Sequence, residues 1–187
     1  MRVIAGAAGG RRLRAPKGDH TRPTSDRVKE SMFASLGPGI QGVRALDLYA
    51  GSGALGIEAL SRGAVHATFV ESRRDAVNVI HHNLAALGYA GQAAVLAVPV
   101  EKAAARISSP VELVLADPPY AEPMDTVFGV LAALAERDLV TAGTQVVIER
   151  SRRAPDTDVD PPPFLELARQ RNYGDTALWY FTVNQGA

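Results

Sequence analysis

From residue 43 onward, short apolar runs alternate with longer stretches of helical periodicity. The runs VRALDLY (43–49), HATFVE (66–71), QAAVLAV (92–98), VELVLA (111–116) and TQVVIER (144–150) are the length and composition of strands covered on both faces. Helical spacing fills 53–62, 73–87 and 124–137, with a short helix after the third run. Such alternation builds βαβ units and a parallel sheet with helices on both faces. After the proline-rich DTDVDPPPF (156–164) the pattern changes. FLELARQRNYG (164–174) and TALWYFTV (176–183) follow one another with no helix between them, so an antiparallel hairpin should close one edge.

Ahead of the sheet, RVIAGAAGGRRLRAP reads as a hairpin turned on glycines. TRPTSDRVKESMFASLG reads as a helix with Thr24, Ser25 or Asp26 as N-cap and Gly37 as its stop. The expected fold is therefore α/β: a doubly wound, seven-stranded, mostly parallel sheet with an antiparallel edge hairpin. A basic extension over 1–37 should precede a main domain over 38–187. The stripe in MDTVFGVLAALAER is core packing, and Trp179 and Tyr180 are core and sheet-face residues. His81 and His82 are adjacent on a helix and share no face, so no metal site is expected there.

Composition narrows the picture. The 187 residues contain no cysteine, which excludes disulfides, thiolate metal sites and cysteine nucleophiles. There is no 18-residue apolar run, and the expectation is a cytoplasmic, monomeric protein that neither spans a membrane nor is secreted. Formal net charge is zero but unevenly placed. Residues 1–31 carry eight basic against three acidic side chains, and the rest carries twelve against seventeen. A basic arm on an acidic body is what a segment docking on phosphates requires.

Two motifs carry chemistry. DLYAGSGALGIEAL (47–60) follows the first strand and opens a helix, and its Gly51, Gly53 and Gly56 spell G-x-G-x-x-G, with Glu71 ending the next strand. Taken literally this is a dinucleotide fingerprint, so an NAD-dependent oxidoreductase is one reading. Asp47 argues for another. A carboxylate beside the loop would repel pyrophosphate but suit the ammonium and sulfonium charges of S-adenosylmethionine, with Glu71 holding the ribose hydroxyls. The second motif is Asp117-Pro118-Pro119-Tyr120, which ends the fourth strand. Asp117 and the Pro118 carbonyl can accept hydrogen bonds from a planar exocyclic amine and aim its lone pair. The prolines fix that geometry, and Tyr120 offers a face to a splayed-out base. A non-catalytic RNA-binding scaffold remains a further alternative.

With Glu71 and DPPY, DLYAGSG resembles the class I S-adenosylmethionine-dependent methyltransferases that modify exocyclic or amide nitrogens of adenine, cytosine, guanine or glutamine. The conjunction of RVIAGAAGGRRLRAP, TRPTSDRVKESMFASL and LDLYAGSGALGIEALSRGA is similar, over nearly the whole chain, to the RsmD family, which methylates a guanine N2 amine in bacterial small-subunit ribosomal RNA. That resemblance implies a Rossmann-like fold, with Asp47, Tyr49, Gly51, Ser52, Gly53, Glu71, Val100 and Asp117 at the cofactor. Asp117 to Tyr120 would hold the guanine, and the Thr24–Ser25–Asp26 corner would lie near the cofactor or the base. Arg2, Arg11, Arg12, Arg14, Arg22, Arg27 and Lys29 would grip RNA, in a subunit already carrying ribosomal proteins. The sequence departs from the pattern after the third strand, where Pro99 stands in place of a polar residue reaching the adenine. Adenine recognition would then fall to the Val100 backbone, apolar contacts or Glu101.

Overall fold

A computed structural model describes residues 1–16, 25–154 and 160–184. Seven strands form one sheet in the order β3-β2-β1-β4-β5-β7-β6. They are β1 (Arg44–Leu48), β2 (His66–Val70), β3 (Ala93–Leu96), β4 (Leu113–Ala116), β5 (Gln145–Ser151), β6 (Leu165–Tyr173) and β7 (Thr176–Val183). The first five are parallel, and β7 inserts antiparallel between β5 and the edge strand β6. The expected fold class is thus observed, hairpin included.

Helices α2 (Ala54–Ser61), α3 (Arg74–Leu87) and α4 (Met124–Ala135) make the crossovers, and α1 (Asp26–Leu36) precedes β1. Ser25 is the N-cap of α1: its hydroxyl accepts the Val28 N–H, and Gly37 at φ 61° ends the helix. Period-two alternation along the buried strands sends side chains into two separate cores. Leu46, Leu48, Val114, Val146 and Ile148 meet α4 on one face. Ala45, Phe69, Leu113, Leu115 and Val147 meet the other helices on the opposite face. Trp179 and Tyr180, neighbours on β7, go to opposite cores. Among the described residues, no helix is long and apolar enough to cross a membrane.

Among the described residues, the basic extension shares the core of the main domain. Val3, Ala8 and Leu13 bury into the same cluster as Val28, Met32 and Phe33 of α1 and the sheet residues beneath. Residues 1–13 form a hairpin bridged at Arg2 and Arg12 and closed by backbone bonds such as Val3 N–H to the Arg11 carbonyl, and side chains of the main domain tie it down. Glu58, buried on α2, accepts the Ile4 and Ala5 N–H groups at 2.7 and 3.0 Å. Ser61 takes the Ala8 N–H and donates to the Ala5 carbonyl. Gly6, at φ 82°, lies so close to α2 that a Cβ would sit 1.8 Å from the Ser61 carbonyl oxygen.

Candidate active site

Strand register builds the site. Leu48, Val70, Ala116 and Ile148 lie side by side, so the next residues, Tyr49, Glu71, Asp117 and Glu149, form a row along the carboxyl edge of the sheet. Strand order reverses between β1 and β4, and at that switch point loops diverge and leave a crevice. A cleft of about 840 Å³ opens there. One part is lined by Gly51, Glu71, Pro99, Val100 and Glu101, and the other by Asp117 to Tyr120, Glu149 and Ser151. Tyr49 lies between, and Ser25 and Val28 of α1 also line the cleft.

The glycine loop is held by two carboxylates. Asp47, 1% exposed, accepts the Gly56 N–H at 2.8 Å and so caps the amino end of α2. Glu71 accepts the Gly51 N–H with one oxygen and the Arg73 N–H with the other, both at 2.8 Å. These bonds weigh against a dinucleotide. A pyrophosphate needs open amides at the helix terminus, and here a buried acid already occupies one of them. Each Glu71 oxygen has spent one acceptor direction on the backbone and keeps capacity for a further donor, which fits a vicinal diol at the cleft wall. Gly56 is needed for packing: a Cβ there would lie 2.4 Å from the Phe69 ring.

Three of the expected cofactor residues lie off the cleft lining. Asp47 stands level with Phe69 and Leu115, two residues deeper than Glu71 and Asp117, or about 6.6 Å along a parallel strand. It does not line the cleft. Burial pushes its carboxyl well above the usual range, and the neighbouring charges of Asp117 and Glu71 add to this against the Gly56 hydrogen bond. Ser52 and Gly53 are buried behind the loop and are likewise absent from the lining. Ser52 is tied down from behind, its carbonyl accepting from Asn83. Gly51, Tyr49, Glu71, Val100 and Asp117 do face the cleft. Burial raises the Tyr49 phenol, and Glu122 and Glu101 push the same way.

Across the cleft, Pro118 is buried while Tyr120 is 57% exposed. Its hydroxyl donates to the Arg153 carbonyl, so an open aromatic face is tethered in place. Arg153 pairs with Asp175 at 3.1 Å in the β6–β7 turn, and residues 173–176 close that end of the cleft.

The arginine-rich surface is partly as expected. Arg2, Arg11, Arg12, Arg14 and Arg27 are exposed; Arg2 pairs with Asp26 at 3.0 Å, and Arg11 donates to the Ala86 carbonyl at the carboxyl end of α3. Arg22 and Thr24 lie outside the described residues. Lys29 is a correction: it is 0% exposed, 3.7 Å from Glu58, and bonded to the Arg2 carbonyl. It anchors the extension and offers nothing to a phosphate. Arg150 is also buried, donating to the Glu122 carbonyl, which removes it from any basic patch with Arg152 and Arg153.

Sequence reasoning missed Glu149, Ser151 and the β6–β7 turn as cleft residues. Glu149 carried a signal, a lone acid near the end of an apolar strand. Asn83, next to the two histidines on α3, bonds both Arg14 and the Ser52 carbonyl, joining the arm to the glycine loop.

The family described as Conserved hypothetical protein 95 matches residues 1–182. The chain belongs to that family. It is 39% identical over 183 residues to the "Putative rRNA methyltransferase YlbH" of Bacillus subtilis, covering 95% of this chain and 96% of that protein. The "Ribosomal RNA small subunit methyltransferase D" of Escherichia coli K12 is 42% identical over 120 residues, 64% of this chain and 60% of the relative. The solved structure of the "Putative methyltransferase yhhF" of Escherichia coli matches with a TM-score of 0.84 at 31% identity, covering 99% and 98% of the two chains. The resemblance to the RsmD family read from the N-terminal motifs is borne out, as are the class I methyltransferase fold and methyltransferase activity.

Proposed function

We propose that this methyltransferase uses S-adenosylmethionine to methylate the exocyclic N2 amine of a guanine in small-subunit ribosomal RNA, acting as a cytoplasmic monomer on a partly assembled subunit. One observation carries the reading: Glu71 and the Asp117–Tyr120 tip share one cleft across the switch point, with a tethered aromatic face at its rim. The small-subunit rRNA named for the Escherichia coli relative supports the substrate class.

When bound, S-adenosylmethionine supplies an electrophilic methyl group on a sulfonium. The residues of the chain do the rest. Glu71 holds the ribose hydroxyls, and Pro99 and Val100 supply an apolar wall for the adenine. The amides of Val100 and Glu101 open a 3-10 turn and so lack acceptors within it, which suits them to ring nitrogens. Asp47 acts through its field from behind the loop. On the other side Tyr120 stacks the extruded base, an interaction of about 1–3 kcal/mol per base. Asp117 and the Pro118 carbonyl accept the two amine hydrogens, which leaves the nitrogen lone pair perpendicular to the base and directed at the methyl. Orientation is the main contribution of these groups, because the methylated ammonium is acidic enough to lose its proton readily. Arg11, Arg12, Arg14 and Arg27 contact phosphates from the docked hairpin and α1.

The test is transfer of labelled methyl to small ribosomal subunits lacking this modification, followed by nucleoside analysis. Label in N2-methylguanosine is expected, and Asp117→Ala should abolish it while retaining S-adenosylhomocysteine binding. Label in another nucleoside would overturn the substrate, and full turnover by Asp117→Ala would overturn the mechanism.

A further inference from the structure

Guanine and the other purines differ along one edge. Guanine presents two donors, the N2 amine and N1–H, and then the O6 acceptor. A purine such as 2,6-diaminopurine keeps the N2 amine but has an acceptor at N1 and a donor at position 6. Holding the amine alone therefore cannot select guanine. A site that selects it needs an acceptor beside the Asp117–Pro118 corner and a donor one step further on.

The structure has both. Asp117 and Glu149 each stand one residue past the paired Ala116 and Ile148 on adjacent parallel strands. Neighbouring residues on parallel strands project to the same face, about 4.8 Å apart. Glu149 is 8% exposed, lines the cleft, and sits within β5 rather than on a loop, so its carboxylate is held to a narrow range of positions. Glu122 also lines the cleft, but from the loop ahead of α4 and partly exposed, which makes it a less constrained acceptor. A carboxylate has about four acceptor directions, so protein bonds to Glu149 leave capacity for a base. Two residues on, Ser151 has the same facing and also lines the cleft. Its oxygen accepts the Arg153 N–H at 3.2 Å, so its own O–H is the group it can offer outward.

We propose that Glu149 selects guanine by accepting its N1–H, next to the Asp117 and Pro118 groups that hold the N2 amine, and that Ser151 donates to O6. This rests on the guanine-N2 reading above. The groups that β4 and β5 present, two acceptors on adjacent strands and a donor further along β5, complement guanine's two donors and one acceptor. A purine with a lone pair at N1 would face the Glu149 carboxylate with two acceptors opposed. Sites built on buried polar groups discriminate strongly because the wrong ligand leaves them unpaired.

The experiment compares subunits reconstituted with guanine or 2,6-diaminopurine at the target position, using wild type, Glu149→Gln and Ser151→Ala. Wild type should prefer guanine by about a hundredfold or more in kcat/KM. Glutamine is nearly isosteric and can turn an N–H toward a bare N1. Glu149→Gln should therefore shrink the guanine to diaminopurine ratio at least tenfold, with S-adenosylhomocysteine affinity unchanged within twofold. Ser151→Ala, which leaves the carboxylate in place, should lower turnover of guanine but not of diaminopurine, and it keeps the test open should the glutamine variant misfold. Parallel falls on both bases, or an unchanged ratio in both variants, would overturn the assignment. Wild type that puts no methyl on guanine N2 would instead bring down the guanine reading and this inference together.

Discussion

Replacing Glu58 with glutamine tests how the amino-terminal extension is attached. Glu58 is fully buried and gathers four groups: the Ile4 and Ala5 amides, Arg62 at 2.8 Å and the Lys29 ammonium at 3.7 Å. Burial already lowers the Lys29 pKa, and Glu58 is the largest influence holding it up. Glutamine keeps one carbonyl oxygen but puts an NH₂ where the second oxygen was, opposing at least one donor and stranding the lysine. Breaking a buried pair from one side costs about 3–5 kcal/mol. Deprotonation caps the lysine's share, because driving an ammonium of pKa about 10.4 to neutrality at pH 7 costs about 4.6 kcal/mol. We expect a loss of about 4 kcal/mol by urea titration, or roughly 8–16 °C in melting temperature for a domain of this size. The sign with pH follows. A folded pKa below the unfolded one means the unfolded state binds more protons in that window, so stability should rise as pH is raised toward 10, more steeply in Glu58→Gln than in wild type. Adding Lys29→Met should restore at least 2 kcal/mol and flatten that pH dependence. A Glu58→Gln loss under 1 kcal/mol, or a double variant no better than the single, would refute the reasoning.

Asp47→Asn should keep an acceptor for the Gly56 amide while removing a charge whose pKa burial has raised; since a raised carboxyl pKa takes stability away as pH climbs from about 4, the variant should match or exceed wild-type stability at pH 7. In calorimetry it should also weaken S-adenosylmethionine more than the uncharged S-adenosylhomocysteine, and equal losses would remove Asp47 as a source of field on the sulfonium. Tyr120→Phe, which keeps the ring but frees it from the Arg153 carbonyl, should lower kcat/KM for RNA a few-fold. Tyr120→Ala should lower it by about 5- to 150-fold, the range that corresponds to 1–3 kcal/mol of stacking; two equal effects would mean that only the tether matters. If Arg11 and Arg12 contact phosphates, replacing both with alanine should reduce the slope of log K against log salt by about 1.4–1.8, and an unchanged slope would place the RNA elsewhere.

Short-range signals make the fold legible in the sequence. Continuous apolar runs bounded by glycine and proline mark the parallel strands, Ser25 and Gly37 mark the ends of α1, and two helix-free runs mark the β6–β7 hairpin. The same locality exposed Glu71 and the Asp117–Tyr120 tip, because a motif at a strand end must face the carboxyl edge of such a sheet. Charge by itself was a weaker guide. Lys29 and Arg27 are two residues apart in one basic segment, yet helical geometry sends one into the core and the other to solvent.

Tertiary structure alone decided what depends on register and packing between distant segments. Asp47 and Glu71 read alike as acids near a glycine loop, but strand pairing sets Asp47 two residues lower, where it caps a helix behind the cleft lining. Glu149 reads as the end of a buried strand, and only its alignment with Asp117 across β4 and β5 brings it into the cleft. Glu58 and Asn83 look like ordinary helix residues until the hairpin folds back over them. The sequence determined which segments are strands and helices, because those choices follow from neighbours a few residues away. Which side chains share the cleft was decided by contacts spanning up to more than a hundred positions, to which no local pattern is sensitive.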